Sequence, residues 1–298
     1  MAGTARSSEP AAASGERRPK VFYVMGAGRS GSTILGVALG NCDGVLFAGE
    51  LDRWFMREGV PRREDERLRA FWAEVLEQVG DAGDVLAART GWLERSSGLL
   101  NPRKWRTRRR LRPRYREVSE RLYRTLVAVS GEECVVDTSH YPLRARELQA
   151  LGGVELHLLW LVRDPQSVVA SLGRADVVER RFDVPTSNAY LWLTNLLSLL
   201  VFLRHPRRRR MFVRHEDFVA DPAGVLERIL ASAGSGAGAP DLQALRTGVP
   251  FHGNRLVQTE VVALNARPEA PARRSWLTAL LQLPWRAVFA IMRPTARG

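Results

Sequence analysis

The pattern of apolar and polar positions alternates between two periods along this chain. Short continuous apolar runs are typical of strands buried on both faces of a parallel sheet, and the segments between them carry apolar residues at the three- and four-residue spacing of amphipathic helices. The alternation predicts an α/β fold in three layers, with a mainly parallel central sheet flanked by helices. Strands are predicted at 21–25, 45–47, 134–136, 156–162 and 211–213, the last of these being the final strand.

Helices are predicted between and after these strands. The first follows the first strand at once, and the others are separated by loops rich in glycine or charge. The predicted helices lie at 34–39, 64–79, 122–129, 144–151, 166–172, 190–203 and 224–233, with an amphipathic helix at the C-terminal end.

The domain organisation follows from composition. Residues 1–19 are rich in Ala, Ser, Gly, Glu and Arg and hold no apolar stretch of the kind a signal peptide needs, so they are predicted to form a disordered tail. Residues 20–298 are predicted to form one domain, with a basic, exposed insertion around 101–116. Residues 232–240 and 267–274 are predicted to be irregular.

The longest apolar stretch, 191–203, is predicted to be a buried helix. As a helix it would be about 20 Å long, whereas a span must cross about 30 Å of hydrocarbon. It also contains Thr194, Asn195 and Ser198. No transmembrane span is therefore predicted.

Charge and cysteine content narrow the possible partners. The chain has a formal net charge of +13, which favours anionic ligands, and the only lysines are Lys20 and Lys104. Arginine must therefore supply nearly every cation, and its planar guanidinium suits phosphate and sulfate. Cys42 and Cys134 lie far apart without metal-ligand spacing, so the sequence predicts no structural zinc and is consistent with a reducing, cytoplasmic location.

The segment 26–33, Gly-Ala-Gly-Arg-Ser-Gly-Ser-Thr, has the frame of a phosphate-binding loop between a strand and a helix. Backbone N–H groups in such a loop surround an anion, and the helix N-terminus adds roughly half a positive charge. Ser32 stands where triphosphate enzymes carry a lysine, which disfavours triphosphate chemistry, and Arg29 is placed to be the cation instead. The alternative is a glycine-rich turn that binds nothing.

A second constellation lies at 161–171, where a strand ends in Arg163 and Ser171 follows eight positions later. Ligands of open α/β sheets bind at the carboxyl ends of the strands, so both residues can reach one phosphate. The alternative is that Arg163 pairs with Asp164 and that Ser171 only packs against a neighbouring helix.

These two segments resemble the 5′-phosphosulfate loop and the 3′-phosphate segment of the sulfotransferases that use 3′-phosphoadenosine 5′-phosphosulfate (PAPS). The resemblance runs from about residue 21 to 276. It implies a P-loop-like fold and PAPS as co-substrate, without a metal. The binding residues that it implies here are Gly28, Arg29, Ser30, Gly31, Ser32, Thr33, Arg163 and Ser171.

Two weaker matches extend the resemblance. Residues 213–222 are similar to the family's "YEDL…DP" stretch, with His215 in place of the tyrosine. Residues 252–255 resemble a late Gly-Asn loop of bacterial and carbohydrate-type members, which implies that Gly253, Asn254 and Arg255 lie near the 3′ side of the nucleotide. Val257 stands where many relatives have a further arginine.

Two residues are candidates for the group that takes the acceptor's proton. Glu50 resembles the catalytic glutamate of tyrosylprotein-type sulfotransferases, and His140, in His-Tyr-Pro, resembles the base of cytosolic ones. We expect Glu50 as the base, His140 as a cationic or acid partner and Arg29 as the third catalytic residue. The alternatives are a Glu50 that only complements a helix N-terminus and a His140 that only binds backbone in a turn. Asp137 is interpreted as a structural acceptor.

The sequence therefore predicts a PAPS-dependent sulfotransferase acting on a hydroxyl or amine of a carbohydrate, small metabolite or peptide, anionic acceptors included. A P-loop kinase or NTPase is the alternative, and it would need ATP and Mg²⁺. The arginine runs at 101–116 and 207–210 could also suit nucleic acid, but they match no nucleic-acid module, so no specific nucleic acid is predicted. Nothing in the pattern indicates an oligomeric state.

Overall fold

The central sheet has five parallel strands, β1 to β5. In this computed structural model the described residues are 18–86, 91–99, 101–174, 182–264 and 275–292, so nearly all of the predicted tail and the 267–274 link lie outside them. The strand order is β2-β3-β1-β4-β5, which confirms the mainly parallel α/β architecture. The strands are β1 (Lys20–Gly26), β2 (Val45–Gly49), β3 (Cys134–His140), β4 (Glu155–Val162) and β5 (Arg210–Arg214).

Helices cover both faces of this sheet. Alternate residues of β1 point to opposite sides: Val21, Tyr23 and Met25 join one hydrophobic cluster, while Phe22 and Val24 join another. This two-sided burial explains why the strands have no polar alternation in sequence. The helices are α1 (Ser32–Leu39), α2 (Asp52–Met56), α3 (Glu66–Val79), α4 (Gly91–Glu94), α5 (Trp105–Ser130), α6 (Pro142–Leu148), α7 (Pro165–Leu172), α8 (Val184–Arg204), α9 (His215–Ala220), α10 (Pro222–Ser232), α11 (Trp276–Leu281) and α12 (Leu283–Met292).

Strand register brings the candidate site residues to one edge of the sheet. Met25 pairs with His140, Gly26 with Leu161, and Gly49 with Asp137. Because the strands are parallel, the residues that follow them also lie along this carboxyl edge. The phosphate loop, Glu50, His140, Arg163 and His215 all follow or end strands there.

The prediction that 211–213 forms the last strand is wrong. A separate antiparallel pair follows it, made of β6 (Leu245–Arg246) and β7 (Val261–Val262). Each strand is only two residues long, which is too short for a periodic pattern to reveal it.

The basic segment 101–116 is not an exposed approach to a helix, as predicted, because α5 already begins at Trp105. Tyr115 and even Arg108 are buried. Arg112 and Arg116 form ion pairs with the buried carboxylate of Glu147, at 3.1 and 2.7 Å. Part of the arginine run is therefore engaged in packing α5 and α6 together.

Helix α8 is only partly buried, which corrects the prediction for 191–203. Its inner side packs on α6, α7 and the sheet, whereas Trp192, Leu196, Leu200 and Leu203 are exposed. By length and composition alone it is the one helix among the described residues that could cross a membrane, and 39% of its apolar window is buried. A partly buried core helix passes the same test.

Candidate active site

The phosphate loop connects β1 to α1. Gly31, at the N-cap of α1, has φ of 93° and no side chain with which to cap the helix. A Cβ atom at Gly31 would lie 2.4 Å from Nδ1 of His215. Arg29 also takes a positive φ, of 71°. The loop therefore turns the chain sharply and leaves the first N–H groups of α1 available to an anion.

Arg29 brings the two predicted phosphate segments together. Its Nε donates to Oγ of Ser171 at 3.2 Å, and its carbonyl oxygen accepts from Nη1 of Arg163 at 3.1 Å. Burial lowers the pKa of Arg163, and the charge of Arg29 acts in the same direction. The convergence of the three residues is observed, while their part in binding a nucleotide stays a prediction.

His215 carries an unpartnered buried nitrogen beside the loop. Its Nδ1 has no hydrogen-bond partner in the part of the chain that the structure describes. Burial, followed by the charge of Arg163, lowers the pKa of His215 to about 4, so the imidazole is neutral at pH 7. A buried polar atom without a partner is costly, so this nitrogen fits a site that is completed by a ligand.

Tyr190 of α8 holds the loop from the other side, a role that no motif in the sequence indicates. Its hydroxyl oxygen accepts from the backbone N–H of Gly28 at 2.8 Å. A Cβ atom at Gly28 would lie 3.3 Å from that oxygen and 3.9 Å from Nε2 of His140. A side chain at position 28 would be tight against Tyr190, so glycine suits the point where loop, tyrosine and histidine meet.

Glu50 lies between β2 and α2 and is bound by His252. Its Oε2 lies 2.9 Å from Nδ1 of His252 and 3.7 Å from Nε of Arg53, and its N–H donates to the carbonyl of His252. Burial alone would raise the pKa of Glu50, but the His252 hydrogen bond and the charges of His140, His252 and Arg53 lower it overall. Glu50 is therefore a carboxylate at neutral pH. The Gly-Asn motif in the sequence includes His252, but no pattern indicates its contact with Glu50.

His140 ends β3 with φ of 57°, a conformation in which histidine is one of the more tolerated residues. Burial lowers its pKa, although the charge of Glu50 opposes that shift. Its ring lies 4.4 Å from that of Tyr141. Burial therefore favours the neutral imidazole, which can accept a proton, and the role of His140 stays a prediction.

A buried ion cluster lies below these residues, formed by Glu94, Tyr115, Tyr123, Asp137 and Arg144. Arg144 contacts Glu94 and Asp137, each at 3.0 Å. Tyr115 donates to Glu94 at 2.5 Å and Tyr123 to Asp137 at 2.7 Å. Asp137 is thus a structural acceptor, in agreement with its interpretation from sequence.

Ser139 links this cluster to both catalytic candidates. Its N–H donates to Asp137 at 2.8 Å, and its hydroxyl oxygen accepts from the N–H of Asp52 at 3.0 Å. The end of β3 is thereby fixed to the start of α2. This contact fixes the chain close to both candidates, since His140 directly follows Ser139 and Glu50 lies two positions before Asp52.

Asp52 is a further buried carboxyl group beside the site. Neither of its carboxyl oxygens has a hydrogen-bond partner within the described ranges, although Nε of Arg53 lies 3.6 Å away. Burial, followed by the charges of Glu94 and Glu50, raises the pKa of Asp52. No motif or periodicity in the sequence marks Asp52 as a site residue.

A cavity of about 190 Å³ opens beside His140. Aromatic and aliphatic side chains provide most of its wall, and Arg95 lies over the ring of Tyr141 at 5.8 Å. Glu50 does not line it. The lining residues are Gly26, Glu94, Arg95, Ser96, His140, Tyr141, Pro142, Leu143, Tyr190, Thr194 and Leu197.

The predicted Gly-Asn loop is only partly assembled with the site. A Cβ atom at Gly253 would lie 3.5 Å from the methyl group of Thr33, so this glycine borders the phosphate loop. Oδ1 of Asn254 instead accepts from the N–H of Leu256 at 2.9 Å and caps a short turn, and Arg255 is exposed. Across the described ranges, no group of three or more His, Cys, Asp or Glu residues could hold a metal.

Comparison with known proteins shows the family to which the chain belongs. A model of the Sulfotransferase family matches residues 19–236. The chain therefore belongs to the Sulfotransferase family, and the protein is a transferase enzyme. No curated protein matches the chain in a sequence search.

Solved structures agree with the fold. A sulfotransferase domain from the curacin biosynthetic pathway is 15% identical, with a TM-score of 0.53 over 91% of this chain and 99% of that domain. One from the Synechococcus PCC 7002 olefin synthase is 16% identical, with a TM-score of 0.49 over 91% and 96%. The Alicyclobacillus acidocaldarius sulfotransferase is 14% identical, with a TM-score of 0.42 over 93% of both chains. Of these three structures, the curacin-pathway domain has a TM-score above 0.5, and its similarity shows the α/β fold.

Proposed function

We propose that the protein transfers the sulfuryl group of PAPS to a hydroxyl or amine of a small-molecule or glycan acceptor in the cytoplasm. One observation carries the proposal. Arg29, in a phosphate loop without lysine, contacts Ser171 and, through its carbonyl, Arg163. These contacts bring the two predicted phosphate segments together, which supports a ligand that carries a phosphate at each end.

The chain's own groups fit that ligand. The uncapped start of α1 and the Arg29 guanidinium would hold the 5′-phosphosulfate, and Arg163 with Ser171 would hold the 3′-phosphate. Gly31 allows the loop to pack directly against His215, where a Cβ atom would clash. His215 offers a buried nitrogen that has no other hydrogen-bond partner among the described residues.

For the chemical step, we assign the base to His140 and not to Glu50. His140 lines the cavity and its burial keeps it neutral, whereas Glu50 is engaged with His252 and does not line the cavity. His140 would take the acceptor's proton as the acceptor oxygen or nitrogen bonds to sulfur and the bond from sulfur to the phosphate oxygen breaks. Glu50 would stabilise the imidazolium that results.

The cavity suits a compact acceptor. Its volume of about 190 Å³ and its aromatic wall favour a phenol, an amine or one sugar ring over an extended chain. Arg95 supplies one cation for an anionic substituent. The buried thiols of Cys42 and Cys134 are free, which supports the proposed cytoplasmic location.

Calorimetry with the donor product tests the nucleotide assignment. 3′-Phosphoadenosine 5′-phosphate should bind more tightly than 5′-AMP, because only the former carries the 3′-phosphate. Arg163→Ala should remove that difference, while Arg228→Ala, which breaks an exposed ion pair with Asp221 on α10, should preserve it. Binding of ATP with Mg²⁺ alone would favour the kinase alternative and reject the proposal.

Kinetics test the assignment of the base. With PAPS and a panel of phenols, amines and sugars, His140→Ala should lower kcat about 10² to 10⁴-fold without changing affinity for the nucleotide. Glu50→Gln should lower kcat by a smaller factor, since Glu50 acts through His140. A larger loss in Glu50→Gln than in His140→Ala would restore Glu50 as the base.

A further inference from the structure

The surface opposite the cavity side of α8 is apolar and exposed. Trp192, Leu196 and Leu200 project from α8 at helical spacing. Trp276 of α11 is 77% exposed, and Leu283 and Ile291 of α12 are 60% and 84% exposed. We call these six residues the apolar face. Large exposed apolar patches mark interaction sites in soluble proteins.

The helices that carry the apolar face, α8, α11 and α12, are packed against one another. Nε1 of Trp192 donates to the carbonyl of Leu281 at 2.8 Å, and the ring of Trp192 lies 5.4 Å from that of Trp285. Nδ2 of Asn188 donates to Oγ1 of Thr278 at 3.0 Å. The exposed side chains therefore stand on a fixed platform.

Within the three helices that carry the apolar face, every charged residue is an arginine. Helices α8, α11 and α12 contain no Asp or Glu. Arg204 is exposed at the last position of α8, exposed arginines follow at 207–209, and Arg286 is exposed on α12. Of these, Arg209 pairs with Glu155 at 3.5 Å. An apolar surface bordered by arginine, with tryptophan at two positions, has the composition of interfacial helices that lie on anionic membranes.

The same helix cannot serve as a span without unfolding the protein. The inner side of α8 carries buried polar residues, Asn188, Asn195 and Ser198 among them, that pack within the molecule. The face can therefore enter a bilayer only along its surface, at the depth of the headgroups.

We propose that the apolar face docks the protein on an anionic lipid bilayer as a peripheral membrane protein. The apolar side chains enter the interface, and the arginines at 204 and 207–208 together with Arg286 contact lipid headgroups. The proposal is independent of the donor and acceptor proposed above, since it concerns a different face of α8.

Sedimentation with vesicles tests the docking. The full chain should bind vesicles of phosphatidylcholine mixed with phosphatidylglycerol, should bind pure phosphatidylcholine far less, and should be released as salt is raised. Leu283→Gln/Ile291→Gln should weaken binding at least about tenfold. Val60→Gln/Val261→Gln alters two valines of similar exposure, 61% and 52%, elsewhere on the surface and should bind as the unmodified protein does.

A second pair of variants tests the charge. Arg207→Gln/Arg208→Gln should weaken vesicle binding roughly thirtyfold, whereas Arg106→Gln/Arg110→Gln, with the same change in net charge on exposed residues of α5, should have little effect. Circular dichroism and thermal unfolding verify that each variant is folded. Equal losses in test and control variants would overturn the proposal. The proposal would also be overturned if the protein did not bind vesicles and instead formed a dimer that Leu283→Gln/Ile291→Gln dissociates.

Discussion

The phosphate loop and the buried ion cluster lie at the same edge of the sheet, yet they differ in whether their buried polar groups have hydrogen-bond partners. In the cluster, Arg144 contacts two carboxylates and two tyrosine hydroxyls, and every partner is buried with it. At the loop, the start of α1 is uncapped and Nδ1 of His215 lacks a hydrogen-bond partner among the described residues.

This difference separates a structural role from a functional one. Polar groups that satisfy one another rigidify the site, whereas buried polar groups left open are retained for a ligand. Asp137 illustrates the lesson, since an acidic residue at the end of a strand has the sequence position of a catalytic residue. Its contacts with Arg144 and Tyr123 assign it to the supporting structure.

Breaking the cluster should have the largest effect on stability. Arg144→Ala leaves Glu94 and Asp137 buried without their cation, so the free energy of unfolding should fall by about 3–5 kcal/mol. Urea unfolding measures the loss. Arg228→Ala is the control, because its pair with Asp221 is exposed and should contribute less than about 1 kcal/mol. If Arg144→Ala lowered the free energy of unfolding by as little as Arg228→Ala, the cluster would not be a major source of stability.

Filling the loop should separate function from backbone strain. Gly31→Ala places a Cβ atom 2.4 Å from His215 at a positive φ, so it should abolish binding of 3′-phosphoadenosine 5′-phosphate and destabilise the fold. Gly44→Ala, also at positive φ but with nothing within 4 Å, should cost only about 1–2 kcal/mol of backbone strain and leave binding unchanged. Calorimetry compares the two. Retained binding in Gly31→Ala would contradict the loop assignment.

Asp52 should make stability depend on pH. Its pKa is raised in the folded state, so between its unfolded pKa of about 3.9 and its folded pKa the folded state binds more protons. Its contribution to stability is therefore lost as pH rises through the folded pKa. Asp52→Asn should be more stable at pH 8 by on the order of 1 kcal/mol and little different at low pH. Urea unfolding at both pH values measures this, and a variant that is equally destabilised at both would be inconsistent with a buried acid.

Removing the contact between Tyr190 of α8 and the phosphate loop should have the smallest effect. Tyr190→Phe loses the hydrogen bond to the N–H of Gly28 but keeps the ring, so stability should fall by about 0.5–1.5 kcal/mol. The affinity for the nucleotide should weaken a few fold. Tyr115→Phe, in the cluster, is the matched change and should leave that affinity unaltered. Equal weakening in both would remove the distinction between the two regions.

The features that could be predicted were those with a local signature. The continuous apolar runs revealed all five strands of the main sheet, and glycine spacing revealed the loop. The convergence of Arg29, Arg163 and Ser171 followed from placing two segments at the carboxyl edge of parallel strands.

The remaining features depend on distant parts of the chain. Tyr190 reaches Gly28 across most of the domain's sequence, and the pairing of His252 with Glu50 joins residues two hundred positions apart. Neither contact has a periodic or motif signal. The helical start at Trp105 was missed for a related reason, since the burial of Glu147 by arginines of α5 stabilises a helix whose own composition suggests exposure.

The position of β1 in the sheet has a consequence for biosynthesis. Both of its neighbours come much later in the chain, since Lys20 pairs with Cys134 and with Glu155. At roughly 10 residues per second, the ribosome takes on the order of ten seconds to make the intervening chain. During that time the apolar segment Val21–Met25 has no strand to pair with, so it is a natural client for chaperones. The turn that follows it acquires its shape only after β4 has emerged.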